Sequence, residues 1–222
     1  MSVALLPAVE SVVARAREFV IQHSTPVVIA IDGRSGAGKS TLAALIAAHL
    51  GATVIPLDDF FSAQVPSAQW DAWTPAERAA HVIDWGRVRT EALDPLRAGQ
   101  VARWHAFDFA AGPRSDGTYP MSDVWTERTP SAVVIVDGAY SARPELRDAV
   151  DLAVLVEVPD ALRRSRLRDR EDAAFLKQWH ARWDAAEEHN FNSVCPRESF
   201  DIVVFTDGVG DAMARVAGGR PA

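Results

Sequence analysis

Eight residues carry the clearest chemistry in this chain: Gly33-Arg34-Ser35-Gly36-Ala37-Gly38-Lys39-Ser40 fits the spacing G-x-x-x-x-G-K-[ST]. Glycines at these positions let the backbone curl so that successive N–H groups converge on an anion. A helix that starts at the end of such a loop adds the partial positive charge of its N-terminus. In this pattern the lysine (Lys39) reaches the β- and γ-phosphates of a nucleotide and the hydroxyl of Ser40 is offered to Mg²⁺. The nucleotide-binding set is therefore Gly33, Ser35, Gly36, Ala37, Gly38, Lys39, Ser40 and Thr41. ATP with Mg²⁺ is the expected ligand. A dinucleotide fingerprint is excluded, because Lys39-Ser40-Thr41 follows Gly38 with no third glycine in place.

Carboxylates recur at matching places. Asp32, Asp58 and Asp137 each follow a short apolar run, and three acids along one rim suit a metal-dependent site. Phosphoryl transfer to an alcohol needs a carboxylate that orients the hydroxyl and accepts its proton, a role open to Asp58 or Asp59. Asp137, after Val133 to Val136, would hold Mg²⁺ directly or through water; a strand-end Asp-Gly turn is the plainer alternative. Arg163, Arg164, Arg166, Arg168 and Arg170 fall within eight positions, so on a helix they surround much of its circumference. One or two could close on a transferring phosphoryl group, while others face solvent or pair with Asp169, Glu171 and Asp172.

The elements that must position these residues are legible. Pro7 to Gln22 repeats apolar residues at helical spacing. Val27 to Ile31, Thr53 to Leu57, Ala132 to Val136, Leu152 to Val158 and Asp201 to Phe205 are short apolar runs of the kind buried on both faces of a parallel sheet. Lys39 to Leu50 is helical with Gly51 as its stop, and Ala161 to Ala185 is helical and basic at first. Strands alternating with helices predict an α/β fold with a mostly parallel sheet. Residues 62–130 differ: they are rich in Trp, Pro and polar residues, with one helical segment near Trp85 to Leu96, and read as an insertion rather than a separate domain. This insertion holds Trp70, Trp73, Trp85, Trp104 and Trp125, five of the seven tryptophans. With Phe60, Phe61, Phe107 and Phe109 they could wall a pocket for a planar group, although plain packing is the better reading for any one of them. Trp179 and Trp183, four apart, read as core. The tail from Gly218 to Ala222 reads as frayed.

Length and composition narrow the class. A chain of 222 residues, 48% hydrophobic and 24% charged, suits one globular domain with its own core. A net charge of −7 lacks the basic footprint of a nucleic-acid binder, so the expected partner is a small molecule. The single cysteine, Cys195, reads as a packing residue. No apolar run approaches the ~20 residues of a membrane span, and a cytoplasmic location is expected.

Together these motifs resemble the uridine kinase and phosphoribulokinase group of P-loop kinases, from about Val27 to Val204. The resemblance rests on Ile31 to Thr41, Leu57-Asp58-Asp59-Phe60-Phe61, Asp84-Trp85 and Asp94 to Gly99. It continues in Phe107-Asp108-Phe109, Val136-Asp137-Gly138 and the arginine run ending Arg168-Asp169. It implies a P-loop three-layer sandwich with a five-stranded, mostly parallel sheet, an insertion over the acceptor site and a lid with its following helix at about 160–190. It implies ATP-dependent phosphorylation of a small-molecule hydroxyl, on a pattern nearest the uridine and cytidine kinases. On this pattern Asp58 is the catalytic base, Lys39 the phosphate clamp and Ser40 the Mg²⁺ ligand; Asp84, Phe107 and Phe109, with Phe61, line the acceptor site; Arg164 and Arg168 belong to the lid. Phe107 stands where nucleoside kinases of this kind carry tyrosine, Ala110 follows Phe109 where they carry histidine, and Asp137 stands where Glu is frequent. A pyrimidine edge is therefore read differently here, and a sugar or a pantothenate-like cofactor precursor is an alternative acceptor. A nucleotide-dependent regulatory ATPase is the alternative from another class.

Overall fold

The structure is a computed structural model that describes residues 5–170, 173–206 and 212–216. Glu171, Asp172 and the tail from Gly218 to Ala222 lie outside the described residues. The chain opens with helix α1 (Leu6–Gln22), strand β1 (Val27–Asp32), helix α2 (Lys39–Leu50) and strand β2 (Thr53–Pro56). The insertion contributes α3 (Ser67–Ala72), α4 (Pro75–His81), α5 (Trp85–Arg87), α6 (Asp94–Arg97) and strands β3 (Ala102–Phe107) and β4 (Met121–Arg128). Then come β5 (Val133–Asp137), β6 (Leu152–Glu157), α7 (Asp160–Arg170), α8 (Ala173–His189), β7 (Ile202–Thr206) and β8 (Ala212–Val216).

The main sheet runs β2-β5-β1-β6-β7-β8. The first five strands are parallel, as expected, and β8 pairs antiparallel with β7. This sixth strand was not foreseen: its sequence, Ala212 to Val216, is too short and too mixed to stand out, and pairing with the β7 edge supplies its ladder.

The period of two along each strand explains the two layers that cover the sheet. Val27, Ile29 and Ile31 of β1 pack with Leu152 and Val154 of β6 against α1 and α2. Val28 and Ala30 face the other way, into a core shared with Ile55, Val134, Val136, Leu155 and the insertion residues Trp70, Leu93 and Trp104. Every residue of β1 is buried, which is why the run lacks polar alternation. Helix α1 contributes Ala8, Val9, Val12, Val13 and Ala16, the apolar stripe its sequence predicts.

The insertion has more order than one helix. Strands β3 and β4 form an antiparallel hairpin whose Arg128 donates to the Val54 carbonyl (3.2 Å), so the insertion covers the β2 edge of the sheet. The helical stretch from Trp85 to Arg97 contains a π turn at Val88–Leu93. The stretch from Ala161 to Ala185 is helical, as expected, over its described residues, which fall in α7 and α8. Among the described residues no helix is long and apolar enough to cross a membrane.

Candidate active site

The site lies where the strands end. Parallel pairing places Ile31 beside Asp137 and Pro56 beside Asp137, so the exits of β1, β5 and β2 share one level. The glycine loop leaves β1 there and opens α2. Gly33, Gly36 and Gly38 all hold positive φ. Gly33 is the most constrained: at φ +143° a Cβ on it would lie 2.4 Å from the Val156 carbonyl oxygen of β6. Lys39 Nζ reaches back to the Arg34 carbonyl (3.2 Å), and Ser40 and Thr41 are exposed on the first turn of α2. The first N–H groups of a helix have no partner within it, so this turn presents donors to an anion.

Asp137, at the end of β5, faces Ser40. The Ser40 hydroxyl and the Lys39 charge hold its carboxyl down, against burial and the nearby Asp58 charge; burial prevails, and the pKa is raised. Its Oδ1 is buried and has no hydrogen-bond partner among the described residues. A buried carboxylate oxygen left unpaired beside a serine hydroxyl fits a divalent cation whose remaining ligands come from phosphates and water. Among the described residues no group of three His, Cys, Asp or Glu side chains forms a metal centre independent of such phosphates.

Asp32 corrects the reading of three acids on one rim. Its carboxylate is fully buried and accepts backbone N–H groups from Gly33 (2.7 Å), Tyr140 (2.8 Å) and Ala142 (2.9 Å). Burial pushes it up to about 6, opposed by those hydrogen bonds and by Lys39. Asp32 ties the glycine loop to the turn after β5 and does not face the open site. That turn carries the one non-glycine positive φ among the described residues, Tyr140 at 74°. Its phenol is buried beside Glu187 and Asp32, which together with burial raise its pKa well above 10.

The pair after β2 separates cleanly. Asp58 is exposed, at the start of the 3-10 turn Leu57–Phe60. Asp59 is half-buried and accepts the Trp104 indole N–H (2.8 Å); burial raises its pKa. Asp58 is thus the carboxylate left facing the rim. Three residues on, Phe61 packs against Phe107 (5.0 Å between ring centroids), Phe109 (6.0 Å) and Trp183 of α8 (5.3 Å). Phe109 is 54% exposed and Phe107 buried, so these rings form a wall with one open edge. Asp84 caps α5, its Oδ1 accepting the Arg87 N–H (3.1 Å), and its own N–H bonds the Phe60 carbonyl (2.8 Å). Among the tryptophans of the insertion, plain packing is the better reading for any one of them. Trp70 and Trp104 are fully buried core, Trp85 donates to the Ala80 carbonyl (2.9 Å), and Trp125 lies tilted against His105 at 60% exposure. Phe60 is core as well. The ring the sequence did not single out is Tyr119, 5.2 Å from Phe107.

The arginines of α7 divide in a way the sequence could not show. Arg163 is buried and donates to the Ser35 carbonyl (3.2 Å), while Arg166 donates to the Ala37 carbonyl (3.2 Å). Arg164 pairs with Asp160 (2.6 Å) and approaches Asp184 (3.8 Å), and Arg168 is exposed. The side chains of Arg170 and Trp179 lie outside the described residues. A cavity of about 670 Å³ opens beside the loop, lined by Arg34, Ala37, Val158, Arg164, Phe191 and Arg197 among others. Cys195 is buried, its thiol pushed up to about 12, in keeping with packing.

A glycine loop joining a buried parallel strand to a helix, with an acid at the end of the neighbouring strand, defines a P-loop fold, and solved structures share that fold over most of the chain. A possible uridine kinase from Bacillus stearothermophilus superposes with a TM-score of 0.58 at 18% identity, covering 87% of this chain and 98% of that one. The YGR205w protein gives 0.65 at 13% identity over 97% and 99%. A candidate fructose transport system kinase from Silicibacter sp. TM1040 gives 0.56 at 21% identity over 82% and 94%. No family model matches the chain, and neither does the sequence of any curated protein. At these identities the likeness establishes the fold.

Proposed function

We propose that this protein is an ATP-dependent kinase that phosphorylates a hydroxyl of a small metabolite. The observation that carries the reading is the gathering of Ser40, Lys39, Asp58 and Asp137 in one electrostatic neighbourhood at the strand ends. Each has a part in phosphoryl transfer. The loop amides and Lys39 bind the β- and γ-phosphates. Ser40 and Asp137 are the residues that would hold Mg²⁺, which neutralises charge on the phosphate oxygens. Asp58, exposed on the rim, orients the acceptor hydroxyl and takes its proton as the oxygen attacks the γ-phosphorus, with ADP as leaving group. Arg164 borders the cavity beside the loop, where a guanidinium can reach a bound nucleotide. Arg168 is carried on the same helix.

The wall of Phe61, Phe107 and Phe109 fits an acceptor with a planar or apolar face, and Asp84 stands near it with one carboxylate oxygen beyond its capping bond. This favours a nucleoside-like acceptor of the uridine and cytidine kind over a bare sugar. Purified protein with MgATP and a library of nucleosides, sugars and pantothenate-like alcohols should release ADP only with particular acceptors. ADP release that ignores every metabolite and responds instead to a protein would favour the regulatory ATPase.

A further inference from the structure

The polar groups on the outer side of the glycine loop are held by two helices. Arg163 of α7 donates to the Ser35 carbonyl, and Arg166 to those of Gly36 (3.4 Å) and Ala37 (3.2 Å). Ser35 also offers its N–H and its hydroxyl. Both go to one carboxylate on α8, Glu187: its Oε1 accepts the Ser35 N–H at 3.1 Å and the Ser35 hydroxyl at 2.5 Å. Glu187 is 2% exposed, more deeply buried than the face it supports, where Lys39 is half-buried and Ser40 exposed. A carboxylate standing in for a phosphate would occupy that open face. This one is buried.

Helix α8 is itself fixed at this level. Trp183, one turn before Glu187 and so on the same side of the helix, packs on Phe61 and Trp70. Arg182 pairs with Asp71 of α3 (2.8 Å), and Arg78 of α4 donates to the Arg182 carbonyl (3.0 Å). The brace on Ser35 therefore has a rigid base.

We infer that Glu187 is a positioning residue for the phosphate loop: by accepting both donors of Ser35 it holds the crest in its binding shape before nucleotide arrives. The inference rests on the nucleotide-binding reading above. Ordering a loop on binding weakens affinity, and a loop ordered in advance avoids that loss. Coulomb's law alone predicts the opposite, because removing a negative charge near a triphosphate should tighten binding. The sign of the effect is thus diagnostic.

Calorimetric titration with the magnesium complex of a non-hydrolysable ATP analogue tests it, with melting temperature measured alongside. Glu187→Ala should weaken binding about tenfold or more. Glu187→Gln, whose amide oxygen can still accept both the Ser35 N–H and the Ser35 hydroxyl, should stay within about threefold of wild type. Ser35→Ala, which leaves α8 untouched, should lose affinity with only a small fall in melting temperature, so the idea remains testable even if Glu187→Ala does not fold. Binding by Glu187→Ala as tight as or tighter than wild type overturns the inference, as does unchanged binding by Ser35→Ala. Wild-type protein that takes up no nucleotide overturns the functional reading along with it; normal wild-type binding with Glu187→Ala unchanged overturns this inference alone.

Discussion

The backbone N–H of Tyr140 donates to the Asp32 carboxylate at 2.8 Å, across 108 positions of sequence. Through this bond and its partners at Gly33 and Ala142, one buried acid fastens the phosphate loop to the turn that follows Asp137. The loop and Asp137 are thereby held in fixed relation.

This bond has a pH signature. Unfolded, the Asp32 carboxyl loses its proton near 3.8, and folded near 6. Between those values the folded state holds the extra proton, so the contribution of Asp32 to stability falls as pH rises through the window and is fully lost above it. Asp32→Asn has no such titration, and its amide sets a second donor against one of the three N–H groups. Urea unfolding of both proteins from pH 4 to 7 should show the wild-type-minus-variant difference moving against wild type by on the order of 2–3 kcal/mol. A difference that does not change with pH would refute this role.

Asp58→Asn should abolish transfer and spare nucleotide binding. A general base of this kind is worth about 10² to 10⁴ in rate, and the exposed side chain leaves the fold intact. Asp59→Asn should do the reverse in kind, costing about 1 kcal/mol of stability through its bond to Trp104 while leaving catalysis measurable. Parallel steady-state kinetics and thermal melts separate the two.

Asp137→Asn should raise the Mg²⁺ concentration needed for half-maximal activity, by about 10- to 100-fold. The metal titration should be carried out at saturating nucleotide. A variant with wild-type metal dependence removes Asp137 from the metal site.

Gly138→Ala tests the close approach of two strand exits. A Cβ there would lie 2.6 Å from the Leu57 Cβ, far inside contact distance. The turn carrying Asp58 must shift, so transfer should fall more than nucleotide affinity, with a stability loss of about 1–3 kcal/mol. Equal losses in both would place the disturbance in the phosphate loop instead.

The sequence and the structure agree where information is local. The loop from Gly33 to Ser40 is legible because its own few neighbouring residues determine it, and β1, β5 and β6 are legible because burial on both faces leaves an unbroken apolar run. The hairpin of the insertion was missed for the converse reason. Met121 to Arg128 has no buried residue and is mostly polar, and its partner lies beyond a long connection, so the strand exists by virtue of its pairing.

From its residues alone, then, the chain determines a P-loop on a parallel α/β frame, because glycine spacing and strand periodicity act over a few positions. Tertiary structure alone decides the part each acid plays. Asp32 is sealed under three amides, Asp59 is engaged by Trp104, and Asp58 and Asp137 remain at the rim. Packing also decides that Arg163 and Arg166, with Glu187, grip the loop while Arg164 pairs with acids of α7 and α8. Charge and residue type are written in the sequence, but burial, direction and partner are properties of how distant segments pack.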